Sequence, residues 1–238
     1  MSKLLLALII AISFISCKKE ETSTKNFLLT GNIKGLKEGK LYIQRIKDTL
    51  LMPIDSIIIS GDSNFKSEFE LNSPEMLYLF LDRGVSNSLD NNIPFFAEPG
   101  KMDIQTSLDF FTSDAKITGS KNQELYDEYK KVVSRYVDRD LDLYTKRFEA
   151  YKQNDQKLIE KIQEEQNAIK RRKYLYTTNF AVNHPDAEVS PYVALAEIYD
   201  INFKYLDTIK QTMTPRVAKT LYGKKFIEYY RERQKLEK

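Results

Sequence analysis

Between Phe27 and Gly119, apolar and polar residues alternate in short runs. NFKSEFEL (64–71) is the clearest of them. Phe65, Ser67, Phe69 and Leu71 fall on one side of an extended chain, and Lys66, Glu68 and Glu70 on the other. That period of two marks a strand buried on one face. FLLTGNI (27–33), KLYIQRI (40–46), DSIIIS (55–60), EMLYLFLD (75–82), PFFAE (94–98), KMDIQT (101–106) and AKITG (115–119) are similar runs, rich in Ile, Phe, Tyr and Leu. KEG, SGDSN, NSP and EPG separate them and supply the turns. About seven or eight strands at this spacing predict an antiparallel β-sandwich over residues 27–119, with an open barrel as the alternative. The polar stretch RGVSNSLDNN (83–92) reads as its longest loop.

Beyond Gly119 the period lengthens. Tyr126, Tyr129, Val133, Tyr136, Leu141, Tyr144, Phe148 and Tyr151 recur at three to five residues, which predicts one stripe of a long helix. Ser120 followed three residues on by Gln123 fits a capping box. Asn154-Asp155 interrupts the pattern, and Leu158, Ile162, Ile169, Tyr176 and Phe180 resume it on a second helix that Asn183-His184-Pro185-Asp186 ends. So short a link predicts an antiparallel hairpin. Ser190-Pro191 and Thr214-Pro215 each read as an N-cap with proline at the first helical position, opening helices over roughly 191–211 and 215–235. The predicted class is α+β, with a sandwich domain (27–119) followed by an α-helical domain (120–238).

Charge follows the same division. Residues 27–119 carry a net −4 and residues 120–238 a net +5. The whole chain, at +3, is too balanced to predict nucleic-acid binding.

The amino terminus, MSKLLLALIIAISFISC, has Lys3 ahead of an uncharged apolar run from Leu4 to Ile12. A bilayer core needs roughly 20 helical residues, so this run is too short to span and reads as a signal peptide over 1–16. Ser16 before Cys17 resembles the lipobox of bacterial lipoproteins, which implies that Cys17 is lipidated and holds the protein to a membrane. Residues 17–26 then form a tether. Lys19, Glu20 and Glu21 resemble the surface-export signal of some Bacteroidetes lipoproteins, so the expected place is the outer membrane, facing either the surface or the periplasm. Cys17 is the only cysteine, which rules out a disulfide within one chain.

Six stretches carry a wider resemblance: FLLTGNIKGLKEGKLYI (27–43), DSIIISGDSNFKSEFELNSPEMLYL (55–79), FFAEPGKMDI (95–104), ITGSKNQELYDEY (117–129), NHPDAEVSPYVAL (183–195) and TPRVAKTLYGKKFIEYY (214–230). In order and spacing the chain resembles the amino-terminal region of Bacteroidetes thiol-disulfide oxidoreductase lipoproteins. There a β-rich domain of unknown function and a helical segment precede a thioredoxin-like domain. That domain brings a Cys-x-x-Cys pair, and a dithiol site needs two thiols. With one cysteine here, no redox residue carries over. The resemblance implies an accessory half without its thioredoxin-like domain, partnered by a thioredoxin-like protein in trans.

Candidate chemistry is sparse. The only histidine, His184, sits at a helix end and reads as a cap or a surface residue. No HExxH motif, nucleophile elbow or phosphate-binding glycine loop is present, so no catalytic residue, metal site or cofactor is expected. Asp82 and Glu98, at strand ends, are the carboxylate pair considered for a hydrolase. Lys170-Arg171-Arg172-Lys173 forms a basic cluster, and Arg216, Lys219, Lys224 and Lys225 form a candidate docking face for acidic groups. Tyr222, Phe226, Tyr229 and Tyr230 share a helical spacing that reads as core. The leading expectation is a non-catalytic binding or scaffold module. The alternative is a surface glycan- or peptide-binding lipoprotein using the 83–92 loop and Phe110-Phe111, and an unrecognised hydrolase comes third.

Overall fold

The computed structural model describes residues 25–84 and 89–237. The expected signal peptide, Cys17, Lys19, Glu20, Glu21 and positions 85–88 of the polar loop lie outside the described residues.

Eight strands follow one another: β1 (Phe27–Lys34), β2 (Glu38–Lys47), β3 (Leu50–Ser60), β4 (Asn64–Phe69), β5 (Glu75–Asp82), β6 (Asn92–Ala97), β7 (Gly100–Ser107) and β8 (Lys116–Thr118). They form two four-stranded sheets, in the orders β4-β1-β7-β8 and β3-β2-β5-β6. Every pairing is antiparallel except that of β1 with β7, which departs from the all-antiparallel expectation. The chain leaves β6 of one sheet, turns at Glu98-Pro99 and enters β7 of the other, arriving beside β1 in the same direction. Pro53 and Pro94 lie within strands, but on β3 and β6, the sheet edges, where a missing N–H costs no ladder bond.

Leu29 and Ile33 of β1, Leu41 and Ile43 of β2, and Leu77 and Leu79 of β5 fill the space between the sheets. Gly31 is required there: a Cβ would lie 2.2 Å from the Ile104 carbonyl and 2.4 Å from the Phe65 ring. Strand β5 is buried on both faces. Leu77, Leu79 and Leu81 point into the sandwich, while Met76 joins Phe96 of β6 on the outer face. The helical layer packs on that outer face, which explains why EMLYLFL lacks clean alternation.

Six helices follow: α1 (Lys121–Lys152), α2 (Gln156–Asn183), α3 (Val189–Glu197), α4 (Phe203–Thr212), α5 (Pro215–Ala218) and α6 (Leu221–Leu236). Ser120 caps α1 by accepting from the Gln123 N–H at 3.0 Å. The reciprocal bond expected of a capping box is replaced: buried Gln123 accepts from the Phe96 N–H at 2.6 Å, satisfying an edge donor of β6. Asn154 adopts a left-handed φ of 54° and Asp155 caps α2, making the hairpin turn.

Three helical expectations are corrected. The predicted 191–211 helix is two helices, separated at 198–202 and restarted by an Asn202 cap. Ser190 is no cap, because its hydroxyl donates to the His184 carbonyl, and α3 begins at Val189. The predicted 215–235 helix is split at Lys219-Thr220, although Thr214 and Pro215 do open α5. Gly223 accommodates that break: a Cβ there would sit 2.0 Å from the Val217 carbonyl oxygen. The stripe on α1 also divides. Tyr129 and Val133 are buried, but Leu141, Tyr144, Phe148 and Tyr151 are exposed, and Leu143 and Ala150 face α2 instead. The five-residue step from Tyr136 to Leu141 swings the pattern about 140° around the helix.

Candidate functional site: a basic groove where the helices meet the sheet

The β4–β5 turn carries Ser73 and Pro74 up to the start of α6. There the Leu221 N–H donates to Ser73 Oγ at 3.0 Å, and the Met76 N–H donates to the Tyr222 hydroxyl at 3.0 Å. Those two bonds seat α5 and α6 on the sheet, leaving a groove of about 660 Å³ between them and the turns at Pro74 and Pro99. Arg216, Lys219, Lys224 and Lys225 all line it. One turn of α5 and the first turn of α6 thus bring the four predicted docking residues together.

The four are not equivalent. The Arg216 guanidinium donates to the Glu188 carboxylate and to the Asp186 carbonyl. Glu188 is nearly enclosed, with its side chain 5% exposed against 61% for Arg216. A buried carboxylate holds its charge only when paired, so Arg216 is committed to the fold. The side chains of Lys219, Lys224 and Lys225 are exposed. Lys225 sits 6.0 Å over the Tyr222 ring, and Glu228 adds a carboxylate to the lining. Below them lies Glu75, ion-paired with Arg45 at 2.8 Å. Burial pushes the Glu75 carboxyl up, while Arg45 and Lys225 pull it back down. The groove therefore presents a net excess of exposed ammonium groups, suited to acidic partners.

Beside it is a smaller pocket of about 310 Å³ that shares Glu188 and Arg216. Asn122 is its hub. Its amide donates to Glu98 at 2.7 Å and Glu188 at 2.9 Å, and its carbonyl oxygen accepts from the Val189 N–H at 2.9 Å. Glu98 also accepts from the N–H groups of Lys121 (2.8 Å) and Asn122 (3.3 Å). A carboxylate suits a helix amino terminus, where unpaired N–H groups carry partial positive charge. Sequence reading missed this network. Asn122 and Gln123 directly after the Ser120 cap were its only signal.

The remaining candidates are dispersed. Asp82 accepts from the Gly84 N–H at the far end of β5 from Glu75, whereas Glu98 follows Ala97, which pairs with Glu75. Seven strand residues put the two carboxylates roughly 20 Å apart, beyond the reach of an acid/base pair. His184 caps α2, its N–H bonding to the Phe180 carbonyl and its ring lying 4.7 Å from that of Phe180. Phe110 is exposed, but Phe111 is sandwich core. The 170–173 cluster is partly neutralised, since Lys170 pairs with Asp200 at 2.9 Å and Lys173 with Glu197 at 2.6 Å. Phe226 and Tyr230 are buried, as their spacing predicts. Among the described residues, no group of His, Cys, Asp and Glu has the arrangement of a metal site, and no helix is long and apolar enough to cross a membrane.

Residues 27–126 match a protein family described as a domain of unknown function (DUF4369). The match takes in all eight strands and the start of α1, including Ser120, Asn122 and Gln123. The groove is thus built jointly, its turns from the DUF4369 region and its cations from the helices beyond. No curated protein and no solved structure matches the chain.

Proposed function

We propose that the protein is a non-catalytic lipoprotein of the cell envelope, anchored through Cys17 to the outer membrane. It serves as a binding or scaffold module for a thioredoxin-like redox protein. One observation carries this reading: Lys219, Lys224 and Lys225 are exposed along a single groove whose walls are fixed by paired polar groups. The DUF4369 match over 27–126 agrees with the domain of unknown function that the resemblance puts ahead of a thioredoxin-like domain. An acidic patch on the partner would meet the lysines, and acyl chains on Cys17 would hold the pair at the membrane, each buried methylene contributing about 0.8 kcal/mol.

The test is affinity capture from solubilised envelope with the tagged protein as bait. Recovery of a thioredoxin-like protein, lost on Lys219→Glu/Lys224→Glu/Lys225→Glu, supports the reading. Its absence from wild-type captures refutes it. Cys17→Ser should abolish acyl labelling and release the protein from membranes.

A second reading, a surface-exposed glycan- or peptide-binding lipoprotein, has one observation in its favour. A cleft of about 340 Å³ between α2 and the 198–202 turn is lined by Tyr174, Leu175 and Tyr205 beside Lys170, Asp200 and Asn202. Aromatic faces with polar groups at the rim suit a sugar ring or a short peptide. Hydrogen bonds from Tyr174 and Lys170 hold the Asp200 carboxyl below its usual range. Binding of glycans by the wild type, lost in Tyr174→Ala/Tyr205→Ala, would favour this reading over the first.

A further inference from the structure

The outer half of α1 packs on α2 through Leu143 and Ala150, and among the described residues it leaves a second apolar row uncovered. Val137, Leu141, Tyr144, Phe148 and Tyr151 are each more than half exposed. Their spacing is four, three, four, three, the 3.5-residue repeat that keeps one seam facing a partner helix. The seam runs about 21 Å, four turns of helix. Surface charge along it is polarised. Asp138 and Asp140 flank its amino-terminal end and Arg147 and Lys152 its carboxy-terminal end, while Arg139 turns to Glu165 of α2 and Glu149 pairs with Lys152 at 3.0 Å.

We propose that this seam is the interface of an antiparallel homodimer, in which α1 of one copy packs along α1 of a second. The charge pattern selects the occupant. Two copies laid antiparallel bring the acidic end of each against the basic end of the other, with Asp138 level with Lys152 on the same flank. A parallel pair would set like charges together at both ends. An anionic lipid surface fits less well, because Asp138 and Asp140 flank the seam. Arg147 lies 4.7 Å over the Tyr144 ring and Lys152 4.4 Å over Phe148, which holds both cations beside the seam at its basic end. The two-fold arrangement is isologous and closes at two copies. It is built on the opposite end of α1 from Asn122 and leaves the basic groove open on each copy.

Sedimentation of the full protein over a range of concentrations tests this. The wild type is expected to dimerise reversibly, and Phe148→Glu to weaken the dimer by about tenfold or more. Asp138→Lys and Lys152→Glu should each weaken it, and the double variant should restore it, a rescue that only the antiparallel arrangement allows. A monomer at every concentration would overturn the proposal. So would a dimer indifferent to Phe148→Glu, or a double variant no tighter than either single one. Binding of a monomeric protein to anionic phospholipid vesicles, lost in Phe148→Glu, would assign the seam to a membrane and overturn it as well.

Discussion

Arg216 and Lys219 are three residues apart on the same groove, yet the structure gives them different work. Arg216 pairs with a nearly enclosed carboxylate, whereas the Lys219 side chain is exposed. Removing one partner of a buried ion pair leaves the other charged and undersolvated. Arg216→Ala should therefore lower unfolding stability by about 1–3 kcal/mol, read as a lower urea midpoint with an unchanged slope. Lys219→Ala should stay within about 0.5 kcal/mol of the wild type. Both residues were legible in sequence as basic positions on one helical face. Their division of labour was not, because it depends on Glu188, which is distant from Arg216 in sequence and is placed by the Asn122 amide.

At the scale of the element, periodicity read well wherever one face alone is buried. NFKSEFEL gave β4, and the interruption at Asn154-Asp155 gave the hairpin turn. It failed where tertiary contacts decide. The α3–α4 break is stabilised by Asp200 reaching back to Lys170 and Tyr174 on α2, a contact no local pattern contains. The α5–α6 break depends on backbone approaching backbone at Gly223. Strand β5 concealed its second buried face because the helices that cover it lie beyond Gly119. Ser120 was legible as a cap, and it is also buried. Ser120→Ala should cost about 1 kcal/mol, measured by chemical denaturation, since the Gln123 N–H then loses its acceptor.

Across the whole molecule, sheet and helices are joined by a layer of tyrosines. Tyr78 of β5, Tyr126 of α1, Tyr192 of α3 and Tyr222 of α6 meet around Met76 and Phe96. Burial holds their hydroxyls neutral, raising Tyr126 to about 12 and pushing Tyr78, Tyr192 and Tyr222 up as well. These groups have folded pKa values above the unfolded value, so the unfolded state releases protons first as pH rises. The tyrosine contribution to stability should be level below pH 10 and fall between pH 10 and about 12. Denaturant midpoints across that window check this, and Tyr126→Phe should reduce the slope. The same layer makes the groove a property of the complete described fold, since its lysines are oriented by α6 seated on β5 through Tyr222.

We propose that the exposed lysines of that groove dock an acidic face of a thioredoxin-like envelope protein. The most direct measurement is a calorimetric titration of the purified protein with such a partner, at low and high salt, for the wild type and for Lys219→Glu/Lys224→Glu/Lys225→Glu. Binding is expected to be saturable, to weaken with salt and to be lost in the triple variant while its thermal midpoint stays close to the wild type's. Equal affinity in the two proteins, or no binding by the wild type at low salt, would contradict it.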